Sequence, residues 1–158
     1  MNSFYKKGVS IIEILIVLAV IGILMAVVLP QFSKMRESQV LKSAVGDISS
    51  ALSKARGQTL ASVDSSEYGV HFESDRVIIF KGKVFSAGAP DNERIDIAAP
   101  AGITNINLGA SGGVVDVYFN RLSGAPSAIG TVTVTIVSSF PIISKIITLS
   151  STGVVSVN

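Results

Sequence analysis

A continuous apolar segment near the N-terminus constrains this chain more than any other feature. Residues 9–29 read VSIIEILIVLAVIGILMAVVL and contain one charged side chain, Glu13. A helix of this length rises about 30 Å, the thickness of a bilayer hydrocarbon core. With 48% hydrophobic and 15% charged residues, the whole chain has a mean hydropathy of +0.58, which excludes a disordered protein. The apolar segment is therefore predicted to be a transmembrane helix.

The residues before the apolar segment set its predicted orientation. The N-terminal sequence MNSFYKKG contains Lys6 and Lys7 and no acidic residue. Because lysines that flank a span stay in the cytoplasm, we expect the N-terminus there and the chain after Leu29 outside the cytoplasm. A secretory signal has a shorter apolar core followed by an A-x-A-like cleavage site, and no such site follows Leu29. The apolar segment is predicted to remain as a membrane anchor.

Glu13 distinguishes the apolar segment from a plain anchor. A carboxylate at the middle of a membrane helix costs about 2.5–3.5 kcal/mol on insertion scales, and less near an end, so such a residue is by default a functional candidate. The alternative interpretation is that Glu13, one turn from the membrane interface, extends its carboxylate into the lipid headgroups.

The sequence around Glu13 resembles a known family. Gly8 is followed by VSIIE and by ILIVLAVIGILMAVVLPQF, so that residues 1–32 resemble the N-terminal region of type IV prepilins and type II secretion pseudopilins. The resemblance implies that a prepilin peptidase cleaves after Gly8 on the cytoplasmic side and N-methylates Val9, where the family usually has phenylalanine. It also implies that Glu13, fifth in the cleaved chain, acts in assembly.

Cleavage would supply Glu13 with a partner. The new amine on Val9 is cationic at neutral pH. In a filament of packed helices, Glu13 of one subunit can lie near this amine on a neighbour, and an unpaired charge at low dielectric is costly. Glu13 would then select the stagger between neighbouring subunits.

Gly22 and Pro30 interrupt the helix pattern, as they do in the family. Two interpretations are open for them. Glycine permits close helix packing and proline is tolerated in membrane helices. Alternatively, the two residues form a flexible stretch that unwinds locally when subunits pack into a filament.

After Pro30 the helix is predicted to continue with one apolar face. Apolar residues recur at steps of four, three, four and three, which is typical of an amphipathic helix: Leu41, Val45, Ile48, Leu52 and Ala55. Gly57 is the predicted stop, with basic residues in the last turn. The predicted organisation is a leader (1–8), a transmembrane and assembly helix (9–29), its amphipathic continuation (30–56) and a β-rich head (57–158).

The head contains short runs of alternating or β-branched residues separated by turn-rich segments. They predict eight strands: Gly69–Phe72, Arg76–Phe80, Arg94–Ile97, Asn105–Leu108, Val114–Phe119, Thr131–Val137, Ile143–Leu149 and Gly153–Val157. The predicted fold class is α+β, with a long N-terminal helix packed against a C-terminal antiparallel β-sheet domain, as in pilins.

The head is also similar to minor pseudopilins of the GspH/FimT type, through ALSKARGQTLASVDSSEYGVHF, RVIIFKG and the closing ITLSSTGVVSV. Some FimT-like proteins bind DNA through basic residues near the C-terminus. Here no basic residue follows Lys145, and loss of Lys6 and Lys7 with the leader would reduce the 13 basic residues to 11, equal to the acidic ones. We therefore expect no nucleic-acid binding.

The sequence offers little for catalysis. It has no cysteine, and its one histidine, His71, lies in a predicted strand, where a structural role is expected. The acidic segment from Asp91 to Asp96, with Asn92 and Glu93, is interpreted as a solvated loop, with a calcium site as the alternative. We expect no enzymatic activity, no cofactor and no metal.

Two functions are compatible with this sequence. The first is a structural subunit of a type II secretion pseudopilus or a type IV pilus, with prepilin peptidase, other pilin or pseudopilin subunits and the inner membrane as partners. Many major pilins carry a C-terminal disulfide loop, and the absence of cysteine favours a minor subunit. The second is a single-pass membrane protein with a β-rich binding domain that does not polymerise.

Overall fold

The computed structural model describes residues 8–110 and 112–158, without the side chains of Leu29 and Pro30. Lys6 and Lys7, predicted to orient the span, lie outside the described residues. The chain divides into two compact units, Met1–Arg36 and Glu37–Asn158. One helix, α1, spans Ile11–Leu60 and contributes residues to both units.

The C-terminal unit, Glu37–Asn158, contains all the described strands. A short 3-10 turn, Val63–Ser65, leads from α1 into them. The strands are β1 (Tyr68–Phe72), β2 (Arg76–Lys81), β3 (Glu93–Asp96), β4 (Ala101–Leu108), β5 (Asp116–Tyr118), β6 (Gly130–Ile136), β7 (Ile143–Leu149) and β8 (Val155–Val157). Each predicted strand overlaps one of these eight, and the predicted α+β class is confirmed.

The strands form two four-stranded sheets in which every described pairing is antiparallel. The first sheet has the order β3-β2-β1-β5 and the second the order β4-β6-β7-β8. Alternate residues of β6, namely Val132, Val134 and Ile136, face the core, while the threonines between them are half-buried on the other face. This is the alternation that the TVTVTI pattern predicts.

One face of α1 and both sheets enclose a single hydrophobic core. The five predicted helix residues are all buried: Leu41, Val45, Ile48, Leu52 and Ala55. The structure adds Ala44 and Ala51, which are also buried and whose small side chains widen the same face. Because alanine is only weakly hydrophobic, Ala44 and Ala51 add little to the apolar pattern that predicted this face.

Helix α1 continues past the predicted stop at Gly57 and ends at Leu60. The amide of Ala61 donates to the carbonyl of Gly57 at 2.9 Å, and Thr59 is buried against the start of β1. Ser62 then adopts a left-handed conformation with φ of 50°, which ends the helix. Tertiary burial of Thr59 therefore outweighs the cost of about 1 kcal/mol for a glycine inside a helix.

Strand β4 begins at Ala101, four residues before the predicted start at Asn105. A bulge lies between Ile103 and Asn105, so the core-facing Ile103 and Ile106 are three positions apart. A bulge breaks the period of two on which the strand prediction depended. The Oγ1 atoms of Thr104 and Thr135 lie 2.8 Å apart beside the bulge.

Candidate functional site

The start of α1 places Glu13 in the first helical turn. Gly8, Val9 and Ser10 precede the helix, and the carbonyl of Ser10 accepts hydrogen bonds from the amides of Glu13 (3.1 Å) and Ile14 (3.3 Å). A negative charge in the first turn interacts favourably with the positive end of the helix dipole. The helix therefore holds Glu13 within one turn of the residue that cleavage would expose.

Glu13 is exposed and has no ionic partner within the described part of the chain. The salt bridges there all lie between Lys54 and Asp116. A carboxylate at low dielectric is costly unless it is paired or reaches the membrane interface. The geometry leaves Glu13 available to a cation on another chain.

The helix surface around Glu13 is apolar on all sides. Every described side chain from Val9 to Val28 is exposed, and nearly all of them are aliphatic. The helix is long and apolar enough to cross a membrane, by length and composition. An apolar surface of this extent is typical of helices that contact lipid or other helices.

Gly22 and Pro30 lie inside the bounds of α1. A Cβ atom added at Gly22 would meet nothing within 4 Å, so contacts within the chain do not require a glycine there. Proline has no amide hydrogen, so the carbonyl of Ala26 lacks its helical donor at Pro30. Both interpretations, close packing between helices and local flexibility, stay open.

Three elements meet at the C-terminal end of α1. The Nε of Arg56 donates to the carbonyl of Gly124 at 3.2 Å. Gly153, in the turn between β7 and β8, has a φ of +77°, and a Cβ atom there would collide with the Gly124 carbonyl and the Arg56 side chain. Arg56 and Gly153 belong to the segments that resembled GspH/FimT proteins, and their partner Gly124 was not predicted.

His71 lies between two carboxylates that sequence reasoning missed. Its Nδ1 is 2.5 Å from Asp116 and its Nε2 is 3.6 Å from Glu73. The ring of Phe85 stacks on the imidazole with centroids 3.9 Å apart. Asp116 is 45 residues away in sequence and pairs with His71 only through the β1–β5 register, so no local signal could identify it. The arrangement connects two strands and a loop.

The acidic residues considered for calcium are mostly engaged by basic side chains. Glu93 lies 2.6 Å from the Nζ of Lys54, and Asp96 lies 2.6 Å from the Nε of Arg94. Asn92 donates to the carbonyl of Ser86 at 2.7 Å. Among the described residues, no group of three or more His, Asp or Glu side chains could hold a metal ion.

The N-terminal residues match a family model. Residues 4–29 match the prokaryotic N-terminal methylation motif, a range that includes Gly8, Val9 and Glu13 and ends one residue before Pro30. The match supports the type IV pilin and pseudopilin class in general, and with the apolar helix it fits anchoring in the inner membrane. Nothing among curated proteins or solved structures matches this chain.

Proposed function

We propose that this protein is a minor pilin or pseudopilin, a structural subunit of a type IV pilus or a type II secretion pseudopilus. Prepilin peptidase would cleave after Gly8 and methylate Val9, and the subunit would then support pilus biogenesis or protein secretion. The match of residues 4–29 to the N-terminal methylation motif carries the proposal.

The geometry of α1 supports polymerisation through this helix. Its first part is exposed and apolar on all sides, and Glu13 is the only charge in the apolar segment. Removal of the leader creates a cation four residues before Glu13 in each subunit. A pair between Glu13 and a neighbour's amine would penalise a wrong stagger, since the charges would then stay unpaired.

Two features support a minor subunit of the GspH/FimT type. The chain has no cysteine for a C-terminal disulfide loop. Arg56 and Gly153 belong to two of the segments that resemble GspH/FimT proteins, and both lie against the carbonyl of Gly124. We further propose that the protein has neither enzymatic activity nor nucleic-acid binding, because its one histidine, His71, connects β1 to β5 through Asp116 and no basic residue follows Lys145.

Mass spectrometry of the N-terminus tests the proposal directly. Protein from its native membrane is expected to begin at Val9 and to carry one additional methyl group. The matched control is the same protein from cells that lack prepilin peptidase, where the chain should begin at Met1 without the methyl group. A chain that begins at Met1 in both strains would contradict the proposal and favour a membrane-anchored β-domain that does not polymerise.

A further inference from the structure

The loop between β6 and β7 presents an exposed apolar surface. Residues 137–142, VSSFPI, form this loop, which we call the apolar tip. The exposed fractions are 73% for Val137, 95% for Phe140 and 72% for Ile142. Single exposed apolar residues are common on proteins, but three in one six-residue loop, including a nearly free aromatic ring, indicate a contact surface.

The backbone of the apolar tip is held in place. The amide of Ser139 donates to the carbonyl of Ile136 at 3.3 Å, and its hydroxyl donates to the carbonyl of Pro141 at 3.0 Å. The amide of Val137 donates to Pro100 at 3.3 Å. Ser139 is itself buried, whereas Val137, Phe140 and Ile142 are exposed. These hydrogen bonds fix the backbone of the turn that carries the three apolar side chains.

The apolar tip lies at the end of the second sheet away from Arg56. The pair Gly130–Leu149 marks one end of the β6–β7 ladder, beside the turn of Gly153 that contacts Arg56. The pair Ile136–Ile143 marks the other end, where the apolar tip begins. Gly130 and Ile136 are six residues apart along β6, so the two ends of the ladder are separated by about 20 Å.

The last strands carry no acidic side chain that would repel an anionic surface. The nearest charged residue in sequence is Lys145, on β7, and no aspartate or glutamate follows Asp116. A lipid surface with anionic headgroups would therefore meet no acidic side chain from the last strands. Aromatic and aliphatic side chains next to a lysine are typical of segments that lie at a membrane interface.

The size of the apolar tip favours a bilayer over a protein partner. A stable protein interface buries about 800 Å² of surface on each side and involves about 20–30 residues there. A six-residue loop supplies far less. A small apolar contact with lipid is sufficient when a second element already holds the chain at the membrane. The apolar segment of α1 is such an element, and it keeps the rest of the chain near lipid at a high effective concentration.

We propose that the apolar tip inserts Phe140 and its aliphatic neighbours into the interfacial region of a lipid bilayer. This inference rests on the membrane anchoring in the proposed function and does not depend on polymerisation.

The absence of tryptophan from the chain allows a direct test. The full chain with Phe140→Trp is reconstituted in phosphatidylcholine–phosphatidylglycerol vesicles, with and without brominated lipid. The matched control is Leu122→Trp, which replaces another fully exposed apolar residue (103%) in the loop that contacts Arg56. Tryptophan at 140 should emit at shorter wavelength and be quenched about threefold or more relative to tryptophan at 122.

Each alternative result overturns the inference. Equal quenching at 140 and 122 in chains that float with the vesicles would contradict insertion of the tip and leave the anchoring intact. A blue shift at 140 without quenching by brominated lipid would indicate a protein contact instead. Chains that do not float with the vesicles would contradict both the tip and the membrane anchor.

Discussion

Glu13 lies in the first turn of an otherwise apolar helix, and its carboxylate is the side chain on which proposed assembly depends. We expect Glu13→Ala to insert into the membrane as well as the wild type does, because the substitution removes the desolvation cost of a charge. Incorporation into filaments should fall about tenfold or more, since breaking a buried ion pair costs about 3–5 kcal/mol. Immunoblots of the membrane and sheared-filament fractions measure the two quantities.

The control for Glu13 is Glu37→Ala, which removes another acidic residue of α1 outside the apolar segment. It should leave both fractions unchanged. If Glu13→Ala enters filaments as well as the wild type does, the assembly role of Glu13 is wrong. The remaining interpretation is then a carboxylate that extends into the headgroups.

At the scale of elements, Thr59 connects the end of α1 to the start of β1. Its Oγ1 donates to the carbonyl of Ala55 at 2.9 Å and accepts from the amide of Tyr68 at 2.9 Å. Thr59→Val keeps the shape but leaves the buried Tyr68 amide without an acceptor, and we expect a loss of about 1–3 kcal/mol in unfolding free energy. Denaturant unfolding of the full chain in detergent measures it.

The matched control for this junction is Thr59→Ser, which keeps the hydroxyl and loses one methyl group. It should recover most of the stability lost in Thr59→Val. If valine is tolerated as well as serine, the hydrogen bonds do not hold the junction. The extension of α1 beyond Gly57 would then require another cause.

At the scale of the whole molecule, stability should depend on pH through the ion pair of Asp64 and Lys81. Their Oδ2 and Nζ atoms are 3.0 Å apart, and the hydrogen bond from Lys81 lowers the pKa of Asp64 below its ordinary 3.8. The same pair raises the pKa of Lys81. A lowered carboxyl pKa stabilises the fold above the ordinary value, and this contribution is lost as pH falls through the folded pKa.

We therefore expect Asp64→Asn to lose less stability than the wild type when the pH falls below about 4. The effect should be small and weaken with salt, because the pair is exposed. Unfolding midpoints measured from neutral to acidic pH provide the test. Asp47→Asn, which changes an acidic residue outside the described ion pairs, should follow the wild-type profile, and an identical profile for Asp64→Asn would contradict the expectation.

Local patterns determined much of this protein by themselves. The apolar segment, the buried face of α1 and the positions of eight strands follow from periodicities of 3.6 and two, which depend only on neighbouring residues. The candidate site at Gly8, Val9 and Glu13 stays a prediction from a contiguous motif, which the match to the N-terminal methylation motif covers. Predictions from local patterns were wrong at Gly57, where burial of Thr59 extends the helix. They were also wrong at the start of β4, where a bulge near Ile103 breaks the period of two.

Only the tertiary structure decided which distant residues meet. The division of the strands into two sheets, the placement of Asp116 beside His71 and the contact of Arg56 with Gly124 and Gly153 all depend on chain segments far apart in sequence. The sequence did not predict the exposure of Phe140 either, because a short apolar run has the same pattern in a core strand and in a protruding loop. Periodicity specifies which face of an element is apolar, whereas packing of the complete chain determines what that face contacts.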